Sequence, residues 1–383
     1  MAEEKAMPGE HHDTIMCTSC GKQLNSSARY CGNCGQSLQT NAGGQTTASS
    51  PKTFDFQSAS DEITNRLGLE RIEAFSLSQF FSQVFKKHDT NNIENLFSAG
   101  TMATTPELRS DMANMPNPWV FFRVLSGAVI TYLIFYYSWN HFHNLNLLPG
   151  LIIVGSFAVP SAVLILFYEL NTPRNISMTR VIQMVAAGGA ISLLLSLLIF
   201  EATPLLGIFG ASSAGIVEEC GKLLAVLLVL RFVPVTRYPY KLNGLLIGAA
   251  VGTGFAAFES AGYALRIGLM DSNAMLANIT LRGVMSPFGH IAWTAIATCA
   301  YLSVRKDCSD FGATIRNPKF FTLFGIPVAL HFVWNLPFDG PLLAKFWILG
   351  FIAWVIIISL VQTGLREIKC IADSTFAVGM QKR

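Results

Sequence analysis

From Trp119 to Gln362 the chain is a succession of apolar segments, each near the roughly 20 residues an α-helix needs to cross the hydrocarbon core of a bilayer. In lipid every backbone N–H and C=O must be paired within the protein, so such a series is restricted to a bundle of helices. The segments fall near 118–139, 147–168, 181–200, 208–230, 242–266, 282–304, 319–338 and 343–363. Composition agrees, with 51% of the 383 residues hydrophobic and 13% charged. The expected fold is an all-α polytopic membrane protein of about eight transmembrane helices.

Basic residues set the expected orientation. Arg174 and Arg180 follow the second segment, Arg231, Arg237 and Lys241 the fourth, and Arg305, Lys306, Arg316 and Lys319 the sixth, while Arg366, Lys369, Lys382 and Arg383 lie in the tail. The alternate loops carry only Arg266, Arg282 and Lys345, at segment edges. An even number of spans then leaves both termini in the cytoplasm of a cell whose plasma or inner membrane holds the chain. A net charge of +3 is too small to point to nucleic acid, and no nucleic-acid partner is expected.

Charged residues are costly in hydrocarbon and seldom persist there without a role. The fourth segment nevertheless carries Glu218, Glu219 and Lys222, the fifth Phe258-Glu259 and Tyr263, the sixth His290 and the seventh His331 and Asn335. With ~1.5 Å of rise per residue, the paired glutamates lie roughly 15 Å from the outer surface and Glu259 roughly 10 Å. His290, His331 and Asn335 fall at similar depth, so four helices of alternating direction bring their polar residues to one layer. Lys222 is i,i+4 to Glu218 and i,i+3 to Glu219, and His331 is i,i+4 to Asn335. Lys222 can neutralise one carboxylate and leave the other as a base. With imidazoles and an amide donor, this is an inventory for hydrolysis by activated water. Buried Glu, Lys and His also build ion or proton relays, so an ion-coupled or proton-coupled transporter is an alternative. A non-catalytic membrane scaffold or receptor is another.

At these residues the chain resembles the PrsW family of intramembrane proteases, within the superfamily of CAAX-prenyl endopeptidases and bacteriocin-processing enzymes. The EExxK element is similar to Glu218-Glu219-Cys220-Gly221-Lys222 and the FExxxY element to Phe258-Glu259-Ser260-Ala261-Gly262-Tyr263. The two histidine elements are similar to His290 with Trp293 and His331 with Asn335. In the wider superfamily the second motif is F-x-x-x-H, whereas here Glu259 stands four residues after Phe255. The resemblance implies a membrane-embedded endopeptidase that requires its paired glutamates and acts on membrane-spanning protein substrates, in one branch an anti-sigma factor cut on the extracytoplasmic side. It also implies Glu218 or Glu219 as general base, Glu259, His290 and His331 holding a catalytic zinc ion or the attacking water, and Asn335 polarising the scissile carbonyl.

Ahead of the membrane domain (118–363) and its cytosolic tail (364–383) lie three further units. Residues 1–35 hold Cys17, Cys20, Cys31 and Cys34 as two C-x2-C pairs whose glycines turn backbone amides toward sulfur, the pattern of a structural zinc ribbon. Residues 36–60, rich in Ser, Thr, Gly and Gln, are expected to be a flexible linker. Residues 61–117 carry Leu77, Phe80, Phe81, Val84 and Phe85 at helical spacing, which predicts a cytosolic amphipathic helix. The ribbon is read as the dock of a cytosolic protein partner. Deleting residues 1–60 is expected to leave the membrane domain folded and competent, as read by detergent thermal unfolding and substrate cleavage. Complete inactivity of that truncation would make the ribbon integral.

Overall fold

The protein is seen in a computed structural model, which describes residues 14–16, 22–25, 37–40, 46–49, 55–73, 75–231, 237–305, 311–338 and 340–381. It divides into an N-terminal unit, Met1–Ala59, and a much larger unit, Ser60–Arg383. In the first, β1 (Thr14–Met16) pairs antiparallel with β2 (Gln23–Asn25), and β3 (Ser37–Thr40) with β4 (Thr46–Ser49). The four ribbon cysteines lie outside the described residues. The second hairpin falls inside the stretch expected to be a flexible linker. Its strands are rich in hydroxyl residues, including β-branched Thr40, Thr46 and Thr47, and the intervening sequence contains Gly43-Gly44, a turn-forming pair.

Three short helices come next along the chain: α1 (Phe56–Arg66), which starts before the division at Ser60, α2 (Leu77–Phe80) and α3 (Thr90–Ser98). The amphipathic helix expected from Leu77 onward is thus a single turn. Its apolar residues do not form one free stripe, because Phe80 and Val84 are buried while Phe81 and Phe85 pack on Phe121 and Phe122. Aromatic contacts therefore override a weak local helix preference.

The bundle comprises α4 (Val120–Phe142), α5 (Leu148–Leu170), α6 (Met178–Gln183), α7 (Gly189–Ala202), the short α8 (Leu205–Phe209), α9 (Ala214–Arg231), α10 (Lys241–Gly268), α11 (Ser272–Met285), α12 (His290–Arg305), α13 (Phe311–Arg316), α14 (Pro318–Trp334) and α15 (Ala344–Gln381). A π-helical turn, Met184–Gly188, joins α6 to α7 in one continuous rod. Glu169 of α5 caps α4 from outside: its carboxylate accepts from the N–H groups of Trp119, Val120 and Phe121 at 2.8, 2.9 and 2.9 Å. These donors have no partner within α4, and negative charge is favourable at a helix N-terminus.

Among the described residues, five rods are long and apolar enough to cross a membrane: Val120–Phe142, Leu145–Leu170, Met178–Ala202, Lys241–Gly268 and Pro341–Ser374. The other expected spans correspond to α9, α12 and α14, of 18, 16 and 17 residues. At ~1.5 Å per residue they are roughly 24 to 27 Å long, slightly less than a ~30 Å hydrocarbon core. The sixth segment, expected over 282–304, is broken. A 3-10 turn at Ser286–Phe288 and Gly289 separate α11 from α12, so His290 begins a helix instead of lying within one.

Among those five rods α10 is the most buried, and a row of small residues lets α12 lie close against it. Gly244, Gly248 and Gly252 recur every fourth position. Added Cβ atoms there would meet Cys299 Cα at 2.8 Å, the Thr294 carbonyl and the His290 carbonyl at 2.6 Å. Close backbone approach of this kind drives helix association where lipid removes the hydrophobic incentive. Gly248→Val should overpack this seam, lowering stability by about 1–3 kcal/mol. Thermal unfolding in detergent and a parallel cleavage assay check it; unchanged unfolding would remove the seam from the account.

Candidate active site

The polar residues foreseen in four segments meet at one end of α9, α10, α12 and α14. Two glycines of α9 help bring the neighbouring helices in. A Cβ on Gly215 would strike the backbone of Phe332, next to His331, and one on Gly221 would strike Ser196 of α7.

At the centre Lys222, fully buried, donates to Glu219 Oε1 at 2.6 Å. Its ammonium also lies 2.9 Å from His290 Nδ1 and 4.3 Å from the Phe255 ring centroid. Glu219 Oε1 lies 2.8 Å from His331 Nδ1 as well. On the other side of His290, Nε2 lies 3.1 Å from Glu259 Oε2, which is also ion-paired with Arg282. The ring of Trp293 stacks on that of His331 at 4.4 Å between centroids.

Donor and acceptor chemistry fixes both imidazoles. An ammonium only donates, so His290 Nδ1 accepts, and a carboxylate only accepts, so His290 Nε2 carries the proton and gives it to Glu259. By the same logic His331 Nδ1–H donates to Glu219, leaving the lone pair on Nε2. The two lone-pair nitrogens face Glu218 Oε2 at 4.0 Å (His290 Nδ1) and 3.8 Å (His331 Nε2). That oxygen is buried with no hydrogen-bond partner, and Lys222 Nζ is 3.9 Å away. One atom each from Glu218, His290 and His331 therefore lies within 4.8 Å of the others.

A carboxylate and two imidazoles are a donor set zinc accepts. Glu218 Oε2 and the His331 Nε2 lone pair face one point, and the His290 Nδ1 lone pair, which accepts from Lys222, would join them once the ammonium gave it up to a cation. Each imidazole has its second nitrogen tied to a carboxylate, the arrangement that orients metal-binding histidines. The expected ligand trio contained Glu259 instead of Glu218. Here Glu259 stands behind His290 with Arg282, and Glu218 is the carboxylate that faces both rings.

Asn335 is the C-cap of α14, its N–H donating to the His331 carbonyl at 3.2 Å. Its side chain makes no hydrogen bond to Glu218, Glu219 or either imidazole among the described residues. Tyr263 lies farther out, partly exposed, under the guanidinium groups of Arg266 and Arg282. A cavity of about 240 Å³ opens beside His290, walled by Leu281, Met285, Trp293, Trp334 and Phe346, with Arg282 among its polar residues. Sequence reasoning placed Arg282 only at a span edge. The missed signal was an arginine on the side of the membrane otherwise poor in basic residues.

The fold and this cluster define a membrane protein with a buried group of carboxylates, imidazoles and a lysine. Residues 175–361 match the family model of the PrsW family intramembrane metalloprotease, and residues 16–38 that of a zinc-ribbon domain. These matches support the PrsW family for the membrane domain, behind an N-terminal zinc ribbon, and that family supports intramembrane protease activity on membrane-protein substrates. Comparison with curated proteins and with solved structures gives no match.

Glu219 and Lys222 are both fully buried and paired. Removing one charge strands the other, a loss of about 3–5 kcal/mol for a buried pair. Glu219→Gln should therefore unfold markedly earlier than Glu218→Gln, whose carboxylate has no close partner. Thermal unfolding of the two variants side by side checks this, and equal losses would contradict the assignment of Lys222 to Glu219.

Proposed function

We propose that the chain is a glutamate-dependent intramembrane endopeptidase that cuts membrane-anchored proteins near the extracytoplasmic face. The observation that carries the reading is Glu218: its Oε2 is orphaned, and the lone pairs of His290 and His331 converge on it. Glu218 takes the proton of the attacking water. Glu219 is a positioning residue that holds Lys222 with one oxygen and orients His331 through the same atom. Asn335, at the end of α14, supplies an amide donor to the scissile carbonyl. Glu218, His290 and His331 would hold a zinc ion, and when bound it supplies a Lewis acid that polarises water or carbonyl. A carboxylate has two oxygens, so Glu218 can serve an ion through one and accept a proton at the other.

The extracytoplasmic placement rests on charge and geometry together. Lys241 starts α10 and Glu259 lies 18 residues on, while Arg231 and Arg305 end α9 and α12, whose opposite ends carry the glutamates and His290. With the basic ends cytoplasmic, both termini are cytoplasmic and the site faces outward. The enzyme would reside in the plasma or inner membrane. The cavity beside His290 receives an apolar residue of the substrate segment next to the cut. A regulator resembling an anti-sigma factor, anchored by a single span, is the kind of substrate that fits. The ribbon engages a cytosolic protein, since only Lys5, Lys22 and Arg29 lie near its cysteines and a nucleic acid would have little to bind.

The test compares wild type with the Glu218→Ala/Glu219→Ala double variant in lipid against co-expressed single-span proteins, with cut sites mapped by mass spectrometry. Wild type alone should yield product, cut near the outer face. The same pattern from both proteins would reject a glutamate-dependent protease.

A further inference from the structure

Arg282 belongs to none of the motifs that pointed to the site, yet it ends a series of contacts that leads to His290. From α11, its Nη2 donates to Glu259 Oε2 and its Nε donates to Ser260 Oγ at 2.9 Å. Its guanidinium lies over the Tyr263 ring, 4.6 Å from the centroid. The fork therefore grips α10 at three side chains within one turn and a half, with a planar geometry that lysine cannot reproduce. The oxygen it holds, Glu259 Oε2, is the one that accepts from His290 Nε2.

We infer that Arg282 is a positioning residue that holds Glu259 against His290 Nε2–H and so helps to fix the tautomer that turns the His290 Nδ1 lone pair toward Glu218 and Lys222. Lys222, donating to Nδ1 at 2.9 Å, favours the same tautomer from the other side of the ring. His290 is the first residue of α12, following Gly289, so it lacks the preceding helical turn that would restrict its ring. Ring contacts with Phe255, Trp293 and His331 limit its plane but do not choose which nitrogen bears the proton. Glu259 and Lys222 make that choice from opposite sides, and when a cation takes the Nδ1 lone pair from Lys222, Glu259, anchored by Arg282 and Ser260, is the partner that still holds the ring. Outer partners of metal-binding histidines commonly change metal affinity about 10–100-fold when removed. The inference rests on the reading of Glu218, His290 and His331 as the working site.

The test is nitrogen NMR of histidine-labelled full-length protein in detergent, with His290 assigned from a His290→Gln spectrum, run without metal and then through a zinc titration. Reading the titration at the His290 ring excludes zinc taken up by the ribbon. Wild type should show a single Nε2–H tautomer. Arg282→Met should weaken the Nε2–H bond to Glu259, seen as a shift of the His290 ring-nitrogen signals, and raise the zinc midpoint about 10–100-fold. Arg282→Lys, which keeps the charge but not the fork, should recover part of that loss, and Ser260→Ala should shift the midpoint less than Arg282→Met. If Arg282→Met does not fold, the Arg282→Lys and Ser260→Ala spectra carry the test, since a zinc midpoint unchanged in both would overturn the role. Unaltered ring-nitrogen signals and midpoint in Arg282→Met would also overturn it, as would Arg282→Lys behaving like Arg282→Met. Cleavage by Glu218→Gln is scored separately: if that variant still cuts, the reading of the site fails irrespective of the NMR result.

Discussion

The ion pair between Lys222 and Glu219 is the interaction on which the rest of the site depends. A lysine with no exposed surface needs an opposite charge, and the 2.6 Å contact supplies it. The faces of Phe255 and Trp293, 4.3 and 5.9 Å away, add cation–π attraction. Because Lys222 also points at His290 and Glu219 also receives His331, this one pair sets the orientation of both imidazoles. Three helices are registered by it, α9 through both charges, α12 through His290 and α14 through His331. Both glutamates keep a buried Oε2 with no hydrogen-bond partner, but that of Glu218 is the one the two imidazoles face. The division of labour between two adjacent glutamates thus follows from which of them reaches the lysine.

The contacts of that pair with the neighbouring helices need close backbones. Gly244, Gly248 and Gly252 let α12 approach α10, Gly215 lets α14 approach α9, and Gly221 admits α7. On the π-helical side, a Cβ on Gly189 would fall 2.6 Å from Gly254 Cα, so α7 and α10 also touch through glycine. Small residues therefore determine the distances at which the charged ones meet. A π-turn at Met184–Gly188 stands beside this contact, where the chain widens by one residue to keep the glycine face against α10.

Much of this was legible in the sequence, for physical reasons that differ from residue to residue. Glu218, Glu219 and Lys222 stand out because charge in an apolar run is costly, and i,i+3 spacing already placed Lys222 beside Glu219. His290 and His331 were brought to the same layer by counting rise along helices of alternating direction. Two things escaped that count. The break at Ser286–Phe288 moved His290 to the start of its helix and freed α11 to carry Arg282 inward, and no residue-by-residue periodicity reports a bend of that kind. The count did not show which carboxylate faces both imidazoles, because Glu259 and Glu218 stand at similar depth, and only the three-dimensional rotation of α10 shows that Glu259 meets the far nitrogen of His290. The recurring glycines at 244, 248 and 252 were visible as a four-residue repeat, but their partner helix was not.

Anomalous diffraction at the zinc edge, from crystals of the full-length protein grown in lipid with zinc, tests the central claim most directly. The account predicts two sites per chain, one at the ribbon cysteines and one bounded by Glu218, His290 and His331, the second lost in Glu218→Gln. Anomalous scattering confined to the ribbon, in a preparation that cleaves its substrate, would contradict it.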